Sequence, residues 1–398
     1  MTGNRFVLLD AIRGLGVLGI LLCNIPDFAA APPTAESLPL WPYGHSPAST
    51  AVWLVTQVFF REKFVTLFSM LFGASIFLVG GERSNRQRGP IVVRRLIWLL
   101  VFGLVHGFVI WHGDILLDYA IAGLAVMWCR SWAPQRLLTV GICLFVVWIA
   151  FGFTMALAFL TRPVAAIHAG DAGDVAAAAS AARDFSGSFL QSLHANVVAR
   201  SIGPGEVINI IWGGALMLIG LGLFKLGVFT SSAARSVYFT LLAAGATSLM
   251  LMMMAATVLI LMNGSPAALF WFGGIQYMFS PFISLGYVSM LTFAFRSRRW
   301  AALPRMLAPV GQMAFTNYLT QSLMMTALFY GGRGPDLFGR FDRPALAAIV
   351  VAVWVLQILW SRAWLQHFES GPFEWVWRRL YRGSTRQRAM PAADVVPA

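Results

Sequence analysis

Charge is scarce in this 398-residue chain. Asp, Glu, Lys and Arg together make up 11% of it, against about 25% in a soluble globular domain. That shortage excludes an ordinary soluble enzyme and a disordered chain. Cysteine is scarce too. Cys23, Cys129 and Cys143 all fall inside apolar runs, too few and too deep for a disulfide framework or a thiolate zinc site. There is no phosphate loop, no dinucleotide fingerprint, no G-x-S-x-G and no Cys-x-x-Cys. No internal repeat and no separate soluble domain is visible.

Apolar residues, by contrast, make up 58% of the chain and aromatics 14%, with a mean hydropathy of +0.72. A membrane-spanning helix needs about 20 mostly apolar residues. Ten segments meet that need: 6–28, 64–81, 92–111, 114–130, 136–161, 207–229, 235–262, 268–295, 308–331 and 343–364. They are too long and too poorly alternating for β-barrel strands. The expected fold is an all-α integral membrane protein, a polytopic bundle of about ten transmembrane helices forming one domain over 1–398, with the lipid bilayer as its solvent.

The net charge of +13 reads as topology rather than as a nucleic-acid footprint. The basic residues sit in short loops between apolar runs, and alternate loops are rich in them: Arg83, Arg86, Arg88, Arg94 and Arg95, then Arg130 and Arg136, then Lys225 and Arg235, then Arg296, Arg298, Arg299 and Arg305. By the positive-inside rule the alternation is consistent with ten spans and with both termini in the cytoplasm. Residues 29–50 and 161–206 are then periplasmic loops, with a short surface helix at the alanine-rich stretch 172–183. Residues 365–398 form a basic cytoplasmic tail with Trp375 and Trp377 at the interface. Segment 51–81 is long for one crossing. The simplest arrangement lays 51–60 along the surface, puts Arg61, Glu62 and Lys63 at the periplasmic interface, and starts the span at 64.

Ionisable groups inside hydrocarbon cost several kcal/mol unless paired or facing a wet cavity, so the few present are the best functional pointers. They are Asp10, Arg13, Arg95, His106, His112, Asp114 and Asp118, with Glu62 and Lys63 at an edge. Arg95 and His106 are eleven positions apart. At ~100° and ~1.5 Å per residue, His106 lies on nearly the same helix face and about 16 Å deeper. An anionic ligand held at Arg95 would extend toward His106. An arginine suits an anion and an imidazole suits proton transfer near neutral pH. Asp114 follows a glycine-rich turn and either caps the next helix or orients His106. Asp10 and Arg13 are three apart and either neutralise each other or complete a mouth beside Arg95. Asn317 and Gln321 are polar positions on an apolar span, where interhelical hydrogen bonding is the plain explanation. The spacing of His106, His112 and Asp114 matches no recognised zinc pattern, so no metal is expected.

Leu9-Asp10-Ala11-Ile12-Arg13-Gly14-Leu15 and Gly19 to Asn24 resemble the first span of the YeiB-type membrane protein family. So do Lys63-Phe64 with Leu67 to Gly73, His106-Gly107 with Gly113 to Leu116, Gly311 to Leu319 with Gln321-Ser322, and Gly371 to Arg378. These stretches run in order along nearly the whole chain. That family resembles a wider group of transmembrane acyltransferases, including bacterial enzymes that acylate surface polysaccharide sugars and the heparan-glucosaminide acetyltransferase type. In the bacterial group a basic residue, ten residues and a histidine form a hallmark, which Arg95 and His106 match.

The resemblance implies an acyltransferase. Acyl-CoA, most simply acetyl-CoA, would be the cytoplasmic donor, with Arg95, Arg94, Arg13 and Asp10 at its binding site. His106 would be the general base and Asp114 its orienting carboxylate. Lys63, His112, Asn317 and Gln321 would line the side of a periplasmic or membrane-embedded acceptor, a glycan or lipid-linked sugar. A covalent acyl-histidine relay and a homodimer both stay open. The competing expectation is a proton-coupled transporter or lipid flippase in which His106 and Asp114 relay protons; a non-catalytic scaffold would not need His106.

Overall fold

In a computed structural model, residues 3–32, 34–35, 37–38, 40–161, 164–200, 204–262 and 264–382 are described. All regular structure in them is helical. Residues 383–398 of the basic tail, with Arg386 and Arg388, lie outside the described residues.

Eight helices among the described residues are long and apolar enough to cross a membrane. They are α1 (Gly3–Ala29), the run formed by α2 (Pro47–Val55) and α3 (Lys63–Gly80), α4 (Gly89–Val105) with its following turn, α6 (Pro134–Leu160), α9 (Pro204–Lys225), α10 (Arg235–Leu261), α11 (Pro266–Arg296) and α14 (Arg343–Trp364). The other two expected segments are helical but short. Segment 114–130 becomes α5 (Leu116–Val126) plus one 3₁₀ turn. Segment 308–331 is broken at Met313 into α12 (Ala302–Gln312) and α13 (Ala314–Phe329), because that residue leaves the helical region at φ −107°, ψ 29°.

Two helices lie within 161–206, α7 (Val164–Phe185) and α8 (Phe189–Ala199), with the alanine-rich stretch inside α7. The amphipathic α15 (Pro372–Arg382) follows α14. The break near residue 61 is real: Glu62 sits in the left-handed region at φ 63°. Lys63 is fully buried inside the protein. Its Nζ donates to the Gln57 carbonyl at 2.8 Å, capping the π-helical turn Thr56–Phe60 that precedes the break.

Helix α1 is the most enclosed span, with 78% of its apolar window buried, against 11% for the peripheral α6. Without a hydrophobic drive between helices in lipid, close backbone packing holds a membrane bundle together, and small residues permit it. Two glycine pairs do this here. A Cβ on Gly14 would lie 2.2 Å from the Leu307 carbonyl oxygen, and one on Gly311 would lie 1.8 Å from that of Asp10, so α1 and α12 meet backbone to backbone. Gly73 and Gly220 repeat the arrangement between α3 and α9, at 2.0 Å from Met217 O and 2.1 Å from Met70 O.

Substitution Gly311→Val is therefore expected to destabilise the detergent-purified protein by at least the ~1–3 kcal/mol typical of overpacking, because the clashing atoms are backbone and cannot rotate away. Gly152→Ala, with nothing within 4 Å of the new Cβ, should melt as the wild type does. Equal melting of the two variants would refute the backbone-contact account.

Candidate functional site

Helix α4 carries Arg95 near its start, and the same helical run ends in a π-type turn, His106–Ile110. The wider turn leaves carbonyls unpaired within the helix. Asn196 of α8 donates its Nδ2 to Gly107 O and Phe108 O, both at 3.0 Å, and Arg333 donates to Val109 O and Ile110 O at 3.0 and 3.1 Å. Asn196 Oδ1 also accepts the His112 backbone N–H at 2.7 Å. The histidine turn is thus clamped from outside by α8 and by the loop after α13.

Within that turn, His106 Nδ1 lies 2.8 Å from Asp114 Oδ1, both side chains being almost wholly buried. An ionised carboxylate only accepts, so Nδ1 is the donor of this bond. Asp114 Oδ2 accepts the Leu117 N–H at 2.9 Å, at the start of α5. The aspartate therefore fills both roles its position allowed, helix capping and imidazole orientation. His106 Nε2 is buried with no hydrogen-bond partner among the described residues.

A cavity of about 1280 Å³ opens beside this pair. Its mouth is lined by the basic side chains Arg13, Arg88, Arg95, Lys225 and Arg378 and the acidic Glu82 and Glu374. Deeper in, it is lined by Val17, Ile20, Phe68, Ile115, Leu116, Tyr119 and Tyr318. Arg95 is buried with its Nη1 and Nη2 each 3.3 Å from Ser75, on the carbonyl and hydroxyl oxygens respectively. Its guanidinium lies 4.7 Å from the Trp377 ring centroid and 5.6 Å from that of Phe72. Tyr318, which lines the cavity, has its ring centroid 5.2 Å from that of His106, which does not line it.

Other expected residues fall differently. Arg13 lines the mouth and is paired with Asp10 at 3.1 Å. Arg94 is exposed, one helical step off the cavity face, and does not line it. Lys63 is held on Gln57, away from the cavity. Asn317 and Gln321 are buried structural joints. Asn317 Nδ2 donates to Val310 O and Ser361 Oγ and its Oδ1 accepts Trp360 Nε1, while Gln321 Nε2 donates to Val17 O and Gln357 Oε1. Trp377 turns inward onto Arg95, with its Nε1 on the Arg95 carbonyl at 3.0 Å, so only Trp375 remains at an exposed surface.

Sequence reasoning missed Ser75, Tyr381, Glu374 and the Arg200 cluster. Arg200 Nη2 lies 2.5 Å from Glu206 and 3.7 Å from Asp118, beside Gly107. Arg200 and Glu206 sit at the end of a stretch that reads as a polar loop, and nothing local signals that they fold inward. Glu374 Oε1 accepts the backbone N–H groups of Phe315 and Thr316, and its other oxygen accepts the Thr316 hydroxyl. These bonds tie α15 to the start of α13. Burial raises the Glu374 carboxyl above its ordinary range, against the pull of those bonds.

Three similar proteins align over nearly their full length. YeiB of Escherichia coli K12, an uncharacterized protein, is 32% identical over 412 residues, covering 95% of this chain and 96% of its own. YxaH of Bacillus subtilis, also uncharacterized, is 28% identical, covering 95% and 94%. An uncharacterized 39.9 kDa protein from the amylase 3′ region of Bacillus acidopullulyticus is 24% identical, covering 95% and 94%. Residues 223–384 match the family described as "Protein of unknown function (DUF418)". No solved structure matches the chain.

His112 gives a pH prediction. Burial lowers its proton affinity from the usual 6.5 to about 4, with Asn196 opposing and the Arg200 charge adding to the effect. The folded state thus binds this proton less tightly than the unfolded chain. The stabilisation is complete above pH ~6.5 and is lost as pH falls toward about 4. Between pH 7 and pH 4.5 the wild type should lose more melting temperature than His112→Gln; equal losses would disprove the assignment.

Proposed function

The chain belongs to the YeiB family of polytopic membrane proteins, and from that footing we propose that it is an acyltransferase of the bacterial inner membrane. It would move an acyl group, acetyl in the simplest case, from cytoplasmic acyl-CoA to a hydroxyl or amine of a glycan or lipid-linked acceptor. The observation that carries this reading is the cavity: it runs from a basic mouth at Arg95 to a wall one ring away from the His106–Asp114 pair. Five basic side chains against two acidic ones favour a phosphate-bearing ligand there. The apolar depth beyond suits a pantetheine arm and an acyl chain.

In the proposed reaction the acceptor oxygen or nitrogen attacks the thioester carbon as its proton passes to His106 Nε2. The carbonyl oxygen takes up the negative charge. The C–S bond then breaks and the proton leaves His106 for the departing sulfur. Asp114 keeps Nδ1 protonated throughout, so that Nε2 is always the atom that accepts, and it stabilises the imidazolium between the two proton transfers. Arg95 and Arg13 hold donor phosphates at the mouth; Arg94, which faces away, does not take part. A second reading draws on the Asp118–Arg200–Glu206 cluster beside the same histidine turn. Buried carboxylates next to a His–Asp pair also suit a proton relay in a transporter.

Titration of purified protein with CoA separates the two. Bound CoA should raise the melting temperature, equivalent to about 2.7 kcal/mol at a hundred times its Kd. Arg95→Ala should weaken that shift and His106→Ala should keep it. Acetyl transfer should vanish in His106→Ala and fall ~10⁴-fold in Asp114→Asn, where the tautomer is no longer enforced. No response of folded protein to any CoA species, with proton flux that depends on His106, would replace this reading by the transporter.

A further inference from the structure

Two polar atoms stand out, one in the cavity wall on Tyr318 and one just behind it on His106. His106 Nε2 is buried without a hydrogen bond among the described residues, and the Tyr318 hydroxyl, beside the Ile115 backbone, donates its proton to none of them. Their rings are 5.2 Å apart and inclined by 38°. Buried polar groups are nearly always satisfied, and an orphan in a cavity wall marks a place where a ligand supplies the missing bond. The two orphans differ in kind. An imidazole nitrogen donates or accepts according to its tautomer, whereas a phenol offers a proton to an oxygen.

Tyr318 lines the cavity and His106 does not, so the side chain that meets a ligand first is the tyrosine. It is held firmly: the residue is 5% exposed, and its helix starts at the Glu374-capped residues Phe315 and Thr316. The neighbouring Tyr119 is not equivalent, because its hydroxyl is already engaged with Ser69 at 2.8 Å and Val65 O at 3.1 Å.

We infer that Tyr318 is a catalytic residue whose hydroxyl donates a hydrogen bond to the thioester carbonyl oxygen of the acyl donor and to the oxyanion formed from it. This rests on the acyl-transfer reading. No proton is transferred from the phenol: the bond shortens as negative charge gathers on the oxygen and relaxes when the C–S bond breaks and the carbonyl re-forms. A donor placed where charge develops lowers the barrier more than it strengthens ground-state binding.

The test uses the full chain in detergent with acetyl-CoA labelled at its carbonyl carbon. Infrared difference spectra would compare the bound thioester carbonyl stretch in wild type and Tyr318→Phe, which keeps the ring and the packing. The stretch should move to higher frequency in the variant. CoA release with water as acceptor should slow by about a hundredfold or more, the cost of one oxyanion donor, with the Kd for acetyl-CoA within twofold of wild type. Wild type and variant that bind acetyl-CoA with the same carbonyl frequency would overturn the Tyr318 role and leave the acyl-transfer reading standing. A wild type that binds no acetyl-CoA would overturn both.

Discussion

Asp114 joins two helices at once. One oxygen fixes the His106 ring at the end of the α4 run, and the other accepts the N–H of Leu117, the second residue of the following helix. The turn that brings α5 back against α4 and the orientation of the imidazole are therefore a single feature. Gly103 completes it, since a Cβ there would lie 2.4 Å from the Leu117 nitrogen. In a medium with no water to share the load, a buried carboxylate is costly unless its oxygens are hydrogen-bonded, and both oxygens of Asp114 are. That requirement ties the local fold to the candidate chemistry.

The same requirement sorts the remaining buried polar residues. Asn317, Gln321, Gln357 and Ser361 form a closed network among α1, α13 and α14. Such a network fixes helix register and leaves little capacity for a ligand. His106 Nε2 and the Tyr318 hydroxyl lie outside it. The contrast separates polar groups that build the bundle from polar groups that the bundle holds ready.

Helix α15 links the tail to the mouth of the cavity. Glu374 caps the start of α13, Trp377 covers the Arg95 guanidinium, and Arg378 and Tyr381 line the opening. The indole both shields Arg95 and donates to its carbonyl, so the cation is held by contacts to its face and its backbone. The break at Met313 lets α13 begin where α15 can reach it.

Length, hydropathy and the placement of arginines were enough to show a helical membrane protein, because the cost of exposing backbone to lipid leaves few alternatives. The eleven-residue step from Arg95 to His106 was legible because helical geometry is local, and it puts both on the buried side of one helix. Interhelical bonding of Asn317 and Gln321 was legible, but their partners, the burial of Lys63 and the outward turn of Arg94 were not. Each depends on which neighbour stands opposite, and hydropathy is silent about that. Trp375 and Trp377 look alike in the chain, yet two positions on a helix differ by about 200°, and only the packed bundle decided which one met Arg95. Tertiary structure alone brought Arg200 and Glu206 from an apparent polar loop to the histidine turn, since only contacts distant in sequence make burying those charges tolerable.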